Sequence, residues 1–152
     1  MSESEVFPIA IRPIAVEDLP FVTDSWLRST RHSHIFTDLK AFERTQRKVI
    51  AQLVQSSKAA IACSLEDPDQ IFGYAIWEET RRKPVLHWAF VKSDFRRLGI
   101  FTRLMALVDP KQKGVVLTHK SEFSQRLRDA GMNIVLDEYA LLVRMLDDGG
   151  AK

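Results

Sequence analysis

The 152-residue chain holds one cysteine, six glycines and six prolines, and its formal net charge is only +2. A lone thiol excludes an internal disulfide. Cys63 lies in the apolar run Ile61-Ala62-Cys63 and reads as a small buried hydrophobe. No uninterrupted apolar stretch reaches the roughly 20 residues a bilayer demands, so no membrane-spanning helix is expected. The first residues, MSESEVF, are acidic and do not read as a secretory leader. A reduced, cytoplasmic setting follows from these two readings together. Nucleic-acid binders carry a stronger and more clustered basic excess than a pI near 8.8 implies, which argues against direct nucleic-acid binding. Repeats and linkers are also missing. What remains is 45% hydrophobic and 28% charged, the composition of one compact domain over 1–152 with short flexible ends at 1–7 and 147–152.

Periodicity then divides the chain. Residues 8–14 alternate as a first strand, and 17–31 place Leu19, Phe21, Val22, Trp26 and Leu27 at helical spacing. After the loop Arg31-His32-Ser33-His34-Ile35-Phe36, Asp38 is a candidate cap for a second helix with its apolar face on Phe42, Val49, Ile50 and Leu53. Residues 59–65 and 70–79 read as a hairpin closed by the turn Glu66-Asp67-Pro68-Asp69. A central strand is expected over 84–92, a helix over 98–108, a short strand over 114–118, and a helix over 121–130 stopped by Gly131. One or two closing strands fall within 134–145. Strands interleaved with helices after an antiparallel meander imply a mixed sheet covered by helices.

The chemistry concentrates in residues 85–105, where a buried strand runs through a polar turn, two arginines and a glycine into an apolar helix. Such a joint aims backbone N–H groups and the positive helix end at one point, which suits an anion with several oxygens. Gly99 lets a ligand approach the backbone closely. A strand–turn–helix joint with solvated arginines reads the same way, so spacing alone leaves both open.

Arg96-Arg97-Leu98-Gly99-Ile100-Phe101 resembles the R/Q-x-x-G-x-G/A signature of the Gcn5-related N-acetyltransferase (GNAT) family. The likeness extends over roughly residues 9–146, through the first strand and turn IRPIAVEDLP, the hairpin strand IFGYAIWEE and the glycine-ended helix at 127–132. Within the family the chain is most similar to small acetyltransferases of phages and prophages. The resemblance implies an α/β fold with a mixed, mostly antiparallel sheet of six or seven strands, about four helices, and splayed central strands. It implies acetyl-coenzyme A (acetyl-CoA) as cofactor, an amine of a small molecule or protein as acceptor, and a homodimer as one assembly open to the fold. Arg96 would begin the pyrophosphate loop, and Arg97, Leu98, Gly99, Ile100, Phe101 and Thr102 would form it. Phe90 and Val91 would pair their main chain with the pantetheine arm, and Trp26, Arg28, Ser29 and Arg31 would line the acceptor pocket.

Two departures from the family pattern stand out. Phe101 occupies a position the family keeps small. Leu127 stands where the family often places the tyrosine that protonates the departing thiolate, so Thr118, His119, Ser121 and Ser124 become candidates for that role. His87 is the candidate base because unperturbed histidine titrates near neutrality, with Glu78 and Glu79 as alternatives acting through water. A core histidine and solvated carboxylates are the plainer reading of the same residues. His32 and His34 lack a third ligand, so no metal site is expected. The departures also leave open a non-catalytic module of this fold, for example a phage assembly component.

Overall fold

The computed structural model describes residues 8–31, 39–96, 98–118, 122–129 and 131–137. Six strands form one sheet: β1 (Ile9–Pro13), β2 (Lys58–Ser64), β3 (Ile71–Glu78), β4 (Val85–Val91), β5 (Val115–Leu117) and β6 (Ile134–Leu136). They lie side by side in chain order. The pairings β1–β2, β2–β3 and β3–β4 are antiparallel, whereas β4–β5 and β5–β6 are parallel. Helices α1 (Leu19–Arg31) and α2 (Leu39–Ser56) precede β2, α3 (Ile100–Val108) links β4 to β5, and α4 (Glu122–Asp129) links β5 to β6. The architecture is the mixed, helix-covered sheet expected from the pattern. Of the closing segment, residues 134–137 are described, with a strand over Ile134–Leu136, and 138–145 lie outside the described residues, as do the ends 1–7 and 147–152 and the loop 32–38.

Alternation along the central strands gives the sheet two apolar faces. Phe72, Ala75, Leu86, Ala89 and Val91 pack with Ile100, Leu104 and Met105 of α3 and Leu127 of α4. Tyr74, Ile76 and Trp88 pack on the other side with Val22, Trp26 and Leu27 of α1 and Ile50 and Leu53 of α2. Cys63 is buried among the latter. Tyr74 carries a hydroxyl into this core, where it donates to Val22 O at 3.1 Å and lies 2.8 Å from Ser25 Oγ. Burial pushes that hydroxyl's titration up, so it stays protonated.

The entry to α1 is held by an ion pair. Arg12 of β1 donates to both Asp18 oxygens, at 2.7 and 2.9 Å, and the Ala15 N–H donates to Asp18 Oδ2 at 2.7 Å. The Arg12 hydrogen bonds, aided by that backbone N–H, hold the Asp18 carboxyl below the usual carboxylate range. A depressed folded value contributes stability above the unfolded pKa of about 3.9, and that contribution is lost as pH falls through the folded value. In urea titrations the midpoint difference between parent and Asp18→Asn is therefore expected to be largest near pH 7 and to shrink below pH ~4. A difference that does not change with pH would remove the ion pair from the acid response.

Candidate active site

The site begins with a mismatch between strands. β4 follows β3 through six register partners, but Ile76 lies opposite Trp88 while Trp77 lies opposite Leu86. His87 is thus the extra residue of a β-bulge, which bends the strand and reverses the direction of its later main-chain groups. Before the bulge, Pro84 and Leu86 turn their carbonyls to β5 and accept from Val116 and Thr118 at 2.9 and 3.3 Å. After it, the Lys92 N–H donates to Phe72 O at 2.8 Å, so Phe90 and Lys92 face β3. Ala89 and Val91 then face the other edge. β5 meets β4 only at Val85↔Val116 and Leu86↔Leu117, and beyond Thr118 no described residue continues the ladder. Among the described residues, no strand pairs with this edge of β4 beyond Leu86. Val91 is the residue of the expected Phe90–Val91 pair whose main chain faces it, while Phe90 is matched to Tyr74.

α3 starts a few residues after the end of β4. Gly99 caps it with φ +80°, and the Arg103 N–H closes the first helical bond on Gly99 O at 3.0 Å. The first N–H groups of a helix, here those of Ile100 and Thr102, have no acceptor one turn back within it. A Cβ built on Gly99 meets nothing within 4 Å, so the approach to this mouth is open. Phe101 does not fill it. Its ring packs against the apolar face shared with α4 and lines a cavity of about 560 Å³ with Met105, Leu127 and Met132. Arg96 lies across the strand end and donates from Nε to Val91 O at 3.2 Å. Leu98 is exposed, Ile100 is buried in the core, Thr102 is exposed, and Arg97 lies outside the described residues.

Beside the last β4–β5 pair, side chains from β3, from β4 and from the residue that follows β5 meet. His87 Nε2 is 2.7 Å from Glu78 Oε2, and His87 Nδ1 is 3.2 Å from Thr118 Oγ1. His87 is 1% exposed and Thr118 2%, while the Glu78 side chain keeps 23% of its surface. A carboxylate only accepts, so in neutral His87 the hydrogen sits on Nε2, and Nδ1 accepts from the Thr118 hydroxyl. The order carboxylate, imidazole, hydroxyl is the one in which a base is oriented on one side and faces an exchangeable proton on the other. Glu79 stands apart: it is exposed and paired with Lys58 at 2.6 Å.

Other expected site residues are placed differently. Trp26 is fully buried and stacks on Trp88, centroids 5.5 Å apart and planes 9° off parallel, so it is a core residue and presents no surface to an acceptor. Arg28 is exposed, Ser29 is exposed with its hydroxyl donating to Ser25 O at 2.8 Å, and the Arg31 side chain lies outside the described residues. Of the proton-donor candidates, Ser124 is buried on α4, and His119 and Ser121 lie outside the described residues. Leu127 is fully buried and apolar. Sequence reasoning named Thr118 without a partner. The signal available was its place at the end of the strand parallel to the one carrying His87. His32 and His34 lie outside the described residues, among which no three His, Cys, Asp or Glu side chains converge.

No protein-family model matches the sequence, and no curated protein matches it. Solved structures do. The chain is similar to a Pyrococcus furiosus protein assigned as an acetyl transferase, at 13% identity over 82% of this chain and 93% of that one, with a TM-score of 0.64. It is also similar to a Gcn5-related N-acetyltransferase from Ralstonia eutropha JMP134, at 16% identity over 80% and 90%, with a TM-score of 0.61. At such identities the likeness is one of fold. This chain has the fold of the Gcn5-related N-acetyltransferases: a six-stranded mixed sheet flanked by four helices, among the described residues.

Proposed function

We propose that this protein is an acetyl-CoA-dependent N-acetyltransferase acting on an amine of a small molecule or a protein. The observation that carries the reading is the open approach to the start of α3 at Gly99, next to an edge of β4 that no described strand pairs with beyond Leu86. The residues there fit the cofactor chemically. Main-chain N–H groups at the start of α3 suit a diphosphate, and the outward-facing Val91 main chain suits an amide-bearing arm laid alongside as an added strand. Arg96 supplies positive charge at the entrance. When bound, the cofactor supplies an acetyl group on a thioester.

The chain's own residues then handle position and protons. An amine must be neutral to attack, and one proton must leave it as the amide forms. His87 holds that proton at Nδ1, and the Glu78 carboxylate on Nε2 offsets the charge of the imidazolium. His87→Gln keeps a polar side chain in place but cannot carry the proton. Its transfer rate is expected to fall about 10²- to 10⁴-fold, with cofactor affinity by isothermal calorimetry unchanged and the His87-dependent limb of the pH–rate profile gone. A parental profile in this variant would remove His87 as base. Absence of heat when the folded parent meets roughly 0.3 mM acetyl-CoA, a concentration well above Kd for any binding tighter than about −6 kcal/mol, would overturn the enzyme reading. It would favour the non-catalytic module.

A further inference from the structure

We infer that the cavity along α3 seats the adenosine half of the cofactor, with Phe101 as the surface the base lies on and the Gln112 amide reading its edge. The inference rests on the acetyltransferase reading above and deepens it. A diphosphate at the start of α3 carries two arms. The amide-bearing arm is assigned to the Val91 main chain, so the adenosine has to leave on another side. The cavity of about 560 Å³ offers that side. It reaches the first turn of α3 at Phe101 and Thr102, runs past Met105 and Ala106, and extends beyond the helix end to Gln112 and Asn133. None of the described residues that line it belongs to β4, so the two arms do not compete for one wall. Its volume falls within the roughly 300–1,000 Å³ of small-molecule sites.

The walls match a purine in kind. Phe101 is only partly buried where it lines the cavity, and an aromatic side chain stacks a base whatever the base's identity. Identity then falls to a polar edge. Gln112 is exposed, and its side-chain amide bonds to no described residue. An amide offers a donor and an acceptor side by side, which matches N7 and the amino group of adenine. The loop that carries Gln112 is braced. Its φ is +55°, a conformation that L-residues rarely adopt. The Gln112 N–H donates to Asp109 O at 3.1 Å, and the buried Asp109 carboxylate accepts from the Lys113 and Gly114 N–H groups at 2.8 and 2.7 Å. The amide is therefore presented from a fixed backbone. Phe101, which departs from the small residue of the family pattern, gains a use in place of the one it displaces.

The test reads affinity by calorimetry with two donors: acetyl-CoA, and acetyl-4′-phosphopantetheine, which keeps the thioester arm and lacks the adenosine. Ala106→Trp puts an indole into the cavity from an exposed helical position, so folding is little affected. It is expected to weaken acetyl-CoA about 10-fold or more, the loss of a stacked base, and to leave the truncated donor at its parental affinity. Phe101→Leu keeps apolar packing but removes the ring, and is expected to cost acetyl-CoA about 5-fold or more. A third ligand, the acetyl-CoA analogue with hypoxanthine in place of adenine, replaces the amino donor by a carbonyl. The parent is expected to prefer adenine by about 5-fold or more, and Gln112→Met to erase that preference. Parental acetyl-CoA affinity in Ala106→Trp or Phe101→Leu, equal losses for both donors in Ala106→Trp, no base preference in the parent, or a preference that survives Gln112→Met would each overturn the proposal. A parent that binds neither donor fails the function itself, whereas a binding parent with an unaffected Ala106→Trp variant fails the adenosine seat alone.

Discussion

Gly99→Trp is expected to abolish measurable acetyl-CoA binding, weakening it at least ~100-fold, equivalent to about 2.7 kcal/mol, while the protein still unfolds cooperatively. Two effects act in the variant and must be separated. The backbone at Gly99 has φ +80°, a left-handed conformation that costs an ordinary L-residue about 1–2 kcal/mol. That cost falls on stability. The indole, in contrast, enters space where no atom lies within 4 Å of a Cβ, directly over the first amides of α3. That effect falls on the ligand. Asparagine tolerates the left-handed region and is small, so Gly99→Asn is the control: near-parental folding and only a modest loss of affinity. If the tryptophan variant binds acetyl-CoA like the parent, the helix mouth is not where the diphosphate sits.

Gly73→Ala is the second large effect, and it acts on folding. A Cβ at Gly73 would meet the Phe90 carbonyl oxygen, with Val91 Cα at 3.1 Å and Val91 Cγ2 at 3.2 Å. The nearest atoms are main chain, so no side-chain rotation relieves the contact. Alanine in a strand interior gains about 0.5–1 kcal/mol over glycine from backbone entropy, but overpacking of this kind costs about 1–3 kcal/mol, and here the obstacle cannot yield. The expected net result is a Tm lowered by several degrees, at about 2–4 °C per kcal/mol for a chain of this size. β4 would also shift just ahead of the start of α3, so the affinity proposed for the cofactor there is expected to fall with stability. An unchanged Tm would mean that β3 and β4 can move apart at no cost.

Much of this fold is readable from residue pattern, because it rests on local periodicity. The hairpin turn at 66–69, the helix stop at Gly131 (φ +88°) and the strand over Val85–Val91 are each announced by the residues that form them. The site is less so. Nothing in Val85-Leu86-His87-Trp88 announces a bulge, since a bulge is a disagreement between two strands and belongs to neither alone. The meeting of His87 with Thr118 spans 31 positions and depends on where β5 stops. The burial of Trp26 is hidden from the sequence for a related reason. Its helical spacing with Val22 shows that it shares an apolar face, but only the approach of Trp88 from β4 decides that this face is sealed. Glu78 and Glu79 look equivalent in sequence, yet Glu78 ends the strand beside His87 and Glu79 passes beyond it towards Lys58.

The single surplus residue in β4 has a wider consequence. The change of phase along β4 comes from a count of peptide units, not from the identity of the side chains that follow it. Those side chains can therefore be exchanged without altering which edge each main-chain group faces.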